Sequence, residues 1–169
     1  MPTDTVYSLA VCFAIPGAVD GMFEVMGIPA GAPMSVLVSS IEQAAEIATL
    51  DVRAWALAAA HWPGLLALVA RPTGRLSPSA GDRGRTVAVR MPDHEVALDL
   101  ITEVGPLAVS PATRMGDAAA ESATEARSVF GDSVALYLPG SCPGVGQLTV
   151  VDVTGTRFIV LRTGAVTFE

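Results

Sequence analysis

From Val6 to Ala14 the chain is apolar, β-branched and aromatic over the length of one strand. Gly17, Ala18, Val19, Met22, Phe23 and Val25 then follow at helical spacing. This pattern predicts a strand followed by a helix. Pro29 and Pro33 bracket a Gly-Ala loop, and Ser35 to Ser39 reads as a buried strand. Ser40 with Gln43 forms a capping-box start for a helix running to about Thr49. Asp51 is placed to cap a second helix through Ala60, which Pro63 and Gly64 stop, and Leu65 to Ala70 is a continuous apolar strand. Residues 71 to 85 hold four arginines, two prolines and three glycines, and they read as a long loop.

Thr86 to Met91 alternates like a strand. Asp93 is placed to cap a helix ending near Val104, with Gly105 suited to its C′ position, and Leu107 to Ser110 is a short strand. Ser122 to Phe130 predicts a helix, Val134 to Leu138 a strand, and residues 139 to 146 an irregular loop. Leu148 to Val153 and Arg157 to Leu161 are close enough, across Thr154-Gly155-Thr156, to form an antiparallel hairpin. Alternating strands and helices predict an α/β sheet, and the terminal hairpin makes that sheet mixed. With no internal repeat and no linker, residues 1–169 read as one domain.

Composition narrows the class. At 169 residues, with 51% hydrophobic and 16% charged positions, the chain can build one substantial core. Polar residues, Pro and Gly interrupt every apolar stretch before the roughly 18 residues a bilayer-spanning helix needs, so no membrane association is expected. The first residues lack a basic n-region and an apolar h-region, which predicts a cytoplasmic protein. Cys12 and Cys142, two thiols far apart, fit free cysteines in a reducing compartment. All ten basic residues are arginine, and the net charge of −7 argues against a generally basic nucleic-acid surface.

Chemistry-bearing residues fall at four predicted strand–loop junctions, where ligands of α/β sheets tend to bind. These are Thr3-Asp4-Thr5, Thr86 to Arg90, Ser110 to Thr113, and Thr149 with Arg162. Taken singly, each has a plain reading as a turn, a cap, a surface ion pair or a solvated strand end. His61 and His94 are isolated, with no cysteine or carboxylate at ligand spacing, so no metal site is expected. No Walker loop, GxGxxG or nucleophile elbow is present. The residues alone therefore point to a soluble α/β domain with an anion site.

The order of several segments resembles the YrdC-like family of L-threonylcarbamoyladenylate synthases over essentially the whole chain. The segments are PTDTVYSLA at residues 2–10, HWPGLLALVA at 61–70, VAVRMPDH at 87–94, GPLAVSPATRMG at 105–116, TVVDVTG at 149–155 and IVLRTGAV at 159–166. The resemblance implies a twisted α/β sheet with a concave groove. It also implies an activity that joins L-threonine, bicarbonate and ATP into threonylcarbamoyl-AMP with release of pyrophosphate, for the threonylcarbamoyladenosine modification of tRNA. ATP would be a substrate, with Mg²⁺ accompanying it and no tightly bound cofactor, and double-stranded RNA or tRNA is a further implied partner.

Carried over by position, Thr3, Arg90 and Ser110 match the family's threonine-binding residues, and an arginine suits a carboxylate because its planar fork can pair both oxygens. Thr86, Ala112 and Arg162 match positions lining the ATP pocket. The departures cluster where the phosphates would lie. Met26 and Ile28 stand at the family's Lys-x-Arg pair. Pro111 and Thr113 fall in the family's Ser-Ala-Asn-x-Ser-Gly segment, Leu148 replaces a serine, and Ser8 replaces a glycine. Arg114, Arg83 or Arg85 are the candidates to replace a lost cation.

Family members also carry a helix and a strand before the Pro-Thr-Asp-Thr motif, which here begins at residue 2. Either the true start lies upstream of Met1, or the sheet lacks that first helix and strand and has an exposed edge favouring a homodimer. Three functions compete. One is a synthase with a degraded ATP-phosphate site. The second is a non-catalytic paralogue that binds an amino acid, a nucleotide or a protein. The third is an RNA-binding module built on Arg114 and the arginines of residues 71 to 85.

Overall fold

In the computed structural model, a mixed, twisted sheet is flanked by helices. The structure describes residues 1–12, 14–29, 31–32, 34–74, 85–114, 116–144 and 146–168. The elements run β1 (Ser8–Cys12), α1 (Ala18–Met26), β2 (Ser35–Leu37), α2 (Ile41–Ile47), β3 (Ala48–Thr49), α3 (Val52–His61), β4 (Leu66–Pro72) and β5 (Val87–Arg90). They continue with α4 (Glu95–Val104), β6 (Leu107–Pro111), α5 (Ala123–Phe130), a 3-10 turn (Gly131–Ser133), β7 (Thr149–Asp152) and β8 (Ile159–Arg162).

The strand order is β1-β6-β2-β5-β4-β7-β8, with β3 added to β4. β2 runs parallel to β5 and β4 parallel to β7, while the remaining pairs are antiparallel. β1 and β8 form the two edges.

Strand alternation divides the core between the two sheet faces. Val36 and Val38, Leu66 and Leu68, Val87 and Val89, Ala108 and Val151 join Met22, Phe23 and Met26 of α1, Ala54 and Ala58 of α3, and Ala126 and Phe130 of α5. The opposite face carries a smaller cluster, in which Leu37, Leu107 and Val109 pack with Ala97 and Ile101 of α4 and with Met1. On that face β4 and β5 present Ala67, Val69 and Ala88, two of them alanines. The floor there lies low.

Local chemistry sets the helix starts. Ser40 Oγ accepts from Gln43 N at 3.1 Å, and Gln43 Oε1 in turn accepts from Ser39 N at 2.8 Å, a capping box displaced by one residue. Ser122 repeats this arrangement, with Ser122 Oγ accepting from Glu125 N and Glu125 Oε2 accepting from Glu121 N. Asp51 Oδ1 accepts from both Arg53 N and Ala54 N. Arg53 then reaches the carbonyls of Gly155 and Thr156 and stacks over Phe158, tying α3 to the β7–β8 turn.

Four sequence expectations are corrected. Val134–Leu138 forms no strand: Leu136 is exposed, and Leu138 O accepts from the Tyr7 hydroxyl at 2.8 Å instead of joining a ladder. The helix begun by Ser40 ends at Ile47 and not near Thr49, because Ala48 is extended and begins the short strand β3. Arg71 and Pro72 belong to β4, where they pair with Thr49 and Ala48, so they are strand and not loop, and residues 75–84 of the expected loop lie outside the described residues. α4 is led by His94, not Asp93, with no side-chain cap. Among the described residues, no helix is long and apolar enough to cross a membrane.

Candidate functional site

On the sheet face where β4 and β5 are low lies a cavity of about 550 Å³. Its floor is made of alternate residues from adjacent strands: Ser35 and Leu37, Ala88 and Arg90, Ala67 and Val69, and Val150. Small side chains at 35, 67 and 88 open the space, and the larger valines and leucines beside them in sequence turn to the other face. The N-terminal turn (Thr3, Thr5, Val6) and the end of β6 (Ser110, Pro111) contribute to the wall. So do residues 146–148 with Leu161 and Arg162.

Arg90 is the buried charge of this cavity, only 4% exposed at the end of β5. Its Nη2 donates to Asp4 Oδ1 at 2.5 Å and lies 3.5 Å from Thr5 Oγ1. Arg90 Nη1 and Asp4 Oδ2 are buried without hydrogen-bond partners. Burial pulls the Arg90 guanidinium below its ordinary value, Asp4 opposes that shift, and the nearby charge of Arg162 adds to it. Arg162 is exposed at the rim, where its Nε donates to Leu148 O at 2.9 Å. Among the described residues the lining holds these two cations and no carboxylate. An anion entering it would meet no like charge.

The hydroxyls differ in their availability. Thr3 Oγ1 donates to Val6 O at 2.7 Å and accepts from Thr5 N at 3.2 Å, so it is largely committed to the turn that presents the wall. Ser110 Oγ, on the antiparallel partner of β1, has no partner among the described residues. Thr149 is fully buried and exchanges hydrogen bonds with Val166, which holds residues 163–168 over β7.

Of the residues the sequence singled out, Thr3, Arg90, Ser110, Arg162, Pro111 and Leu148 come together around the cavity, whereas Thr86, Ala112 and Thr113 do not line it. Ala112 is fully buried in the main core, and Thr113 Oγ1 donates within its own loop, to Arg114 O and Asp117 O. Met26 is buried in the core under α1, and Ile28 packs against the same cluster. Arg114 donates to Val129 O at 3.3 Å and lies over the Phe130 ring, so its charge is engaged at the end of α5. Arg75 and Arg83 lie outside the described residues.

Thr5, within the Thr3-Asp4-Thr5 junction the sequence singles out, also lines the cavity, whereas Ser35 and the alanine floor are not picked out by the sequence. Among the described residues no cluster of His, Cys, Asp or Glu could hold a metal ion. His61 instead packs edge-on against Phe168 at 5.9 Å.

Comparison with known proteins places this geometry. The family model Sua5_yciO_yrdC, described as telomere recombination, matches residues 1–164. A Mycobacterium tuberculosis (strain H37Rv) relative is 39% identical over 100% of this chain and 79% of its own length. The threonylcarbamoyl-AMP synthase of Bacillus subtilis is 32% identical over 99% of this chain and 50% of its own. Pyrococcus abyssi Sua5 complexed with L-threonine superposes with a TM-score of 0.88 at 34% identity, covering 96% of this chain and 49% of that one. The chain thus spans about half the length of the Pyrococcus protein. Escherichia coli YciO, at 21% identity and a TM-score of 0.78 over 96% of this chain and 81% of that one, shares the fold.

Proposed function

Because the chain belongs to the Sua5/YciO/YrdC family, we propose that its cavity binds L-threonine as the amino-acid end of a threonylcarbamoyl-AMP synthase site. The observation that carries this reading is Arg90, a buried guanidinium in the cavity wall whose Nη1 lacks a partner. A substrate carboxylate supplies the missing acceptor, and charge-assisted pairing favours it over a neutral ligand. Ser110 offers a free hydroxyl beside it. Thr3 acts mainly by holding the turn.

At the other end, Arg162 is the rim cation that the described lining offers to a phosphate. Met26 and Ile28 are apolar and turned into the core. Two lost charge-assisted contacts at about 1.5–3 kcal/mol each remove roughly 3–6 kcal/mol of triphosphate binding, on the order of 10²- to 10⁴-fold in affinity. The described lining offers no carboxylates for Mg²⁺, so any divalent ion would arrive on the nucleotide's own phosphates. The reading is a threonine-binding family member with a weakened ATP end. Full loss of turnover, leaving a non-catalytic amino-acid-binding paralogue, is the second reading, favoured by the burial of Met26.

Calorimetry with L-threonine, run beside threonine-dependent pyrophosphate release from ATP and bicarbonate, tests both. Threonine binding with release far below that of the Bacillus subtilis relative is the expected result. Binding without any release selects the paralogue, and no threonine binding overturns the proposal.

A further inference from the structure

We infer that Asp4 is a positioning residue for this cavity, holding the Arg90 guanidinium by Nη2 so that Nη1 is kept for a ligand carboxylate. The inference rests on the reading of Arg90 given above. Asp4 does not line the cavity, so any effect it has on a ligand passes through Arg90. Both partners are buried, at 2% and 4% exposure, and 86 residues separate them.

A carboxylate that served only to neutralise a buried arginine would do so best as a two-point fork, consuming two nitrogens and both oxygens. Here one nitrogen meets one oxygen at 2.5 Å, and the other atom of each group is buried and unpaired. Orphaned polar atoms in a buried pair weaken it as a stability device. The one-point contact leaves Arg90 Nη1 with no acceptor of its own, and a ligand carboxylate reaching Arg90 would supply one. Thr5 Oγ1, 3.5 Å from the same Nη2, crowds that nitrogen further and leaves Nη1 untouched. The Thr3-centred turn holds Asp4, because Thr3 Oγ1 reaches across it to Thr5 N and Val6 O. Arg162 repels Arg90 across a cavity whose described lining holds no carboxylate, so without Asp4 the guanidinium would keep, from that lining, the long 3.5 Å contact to Thr5 Oγ1.

The test uses the full chain with ¹⁵N-labelled arginine, comparing wild type, Asp4→Asn and Asp4→Glu; loss of signals in Arg90→Lys identifies those of Arg90. Wild type should show separate, slowly exchanging Nη resonances for Arg90 at low temperature. In Asp4→Asn these should collapse, and L-threonine affinity should fall about tenfold or more, equal to about 1.4 kcal/mol. Unchanged Nη resonances in Asp4→Asn overturn the inference. So does collapse of those resonances with threonine affinity unaltered. If wild type binds no threonine, the ligand reading and its positioning residue both fall, even where the Nη resonances respond to Asp4→Asn. Should Asp4→Asn not fold, Asp4→Glu, which keeps the charge and moves the carboxylate by one methylene, decides by the same two readouts.

Discussion

Arg90, the last residue of β5, is joined to Asp4 in the turn before β1 by a single 2.5 Å contact between Nη2 and Oδ1, with neither side chain more than 4% exposed. β5 and β1 are separated in the sheet by β2 and β6, so the contact ties the N-terminal turn to the sheet's middle.

Arg90→Ala strands the Asp4 carboxylate in the interior, and breaking a buried pair in this way costs about 3–5 kcal/mol. Replacing both partners, as in Asp4→Leu with Arg90→Met, should recover most of that loss while leaving threonine binding absent. Urea unfolding of the two variants measures the first effect and calorimetry the second. A double variant no more stable than Arg90→Ala would show that the pair's charge, not its packing, holds the turn.

Gly164 permits the close pass of residues 163–165 over β7. A Cβ there would stand 2.6 Å from Leu148 C and Thr149 N and collide with Gln147 O, all backbone atoms that cannot swing away. Gly164→Ala should cost about 1–3 kcal/mol, as overpacking does. It should also disturb the rim, since Gln147, Leu148 and Arg162 line the cavity. A denaturation midpoint equal to wild type would mean that the segment lifts off β7 freely.

Much of this architecture is legible in the sequence because its strands are short, apolar and punctuated by Gly or Pro, and because Ser40, Asp51 and Ser122 are strong local caps. Val134–Leu138 fails for the opposite reason. Its apolar residues satisfy β propensity, yet Leu136 is left exposed and a tyrosine side chain takes up the carbonyl of Leu138 in place of a ladder partner. The cavity was half visible. Arg90, Ser110 and Arg162 could be placed by resemblance, whereas the alanine floor depends on which way β4 and β5 face, a property of strand register that a single strand does not carry.

Asp51 makes an acid-limb prediction. Its carboxylate is held below the usual range first by the Ala54 N–H and then by Arg53. A depressed carboxylate contributes stability that is present above its unfolded value of about 3.8 and lost as pH falls through the lower folded value. The stability gap between wild type and Asp51→Asn should therefore be constant near neutrality and close as the solution becomes more acidic than that range. A gap that persists in strong acid would assign the effect to neutral hydrogen bonding at the cap.

Met26→Lys tests the proposal that this chain lacks a phosphate-binding cation of its family that can simply be returned. By sequence position the substitution restores the family's lysine, and with Ile28→Arg it would be expected to raise ATP affinity. The structure points the other way. Met26 is 2% exposed, at the end of α1 among Val19, Met22 and Phe23, and does not line the cavity. A lysine there either buries its ammonium, at a cost of several kcal/mol, or bends its stem toward water at the price of the methionine's packing. The expected outcome is a lower melting temperature with no gain in ATP affinity, read by thermal unfolding and nucleotide titration of the same sample. Tighter ATP binding at unchanged stability would instead mean that the end of α1 can turn its side chain toward the cavity, and that only the charge had been lost.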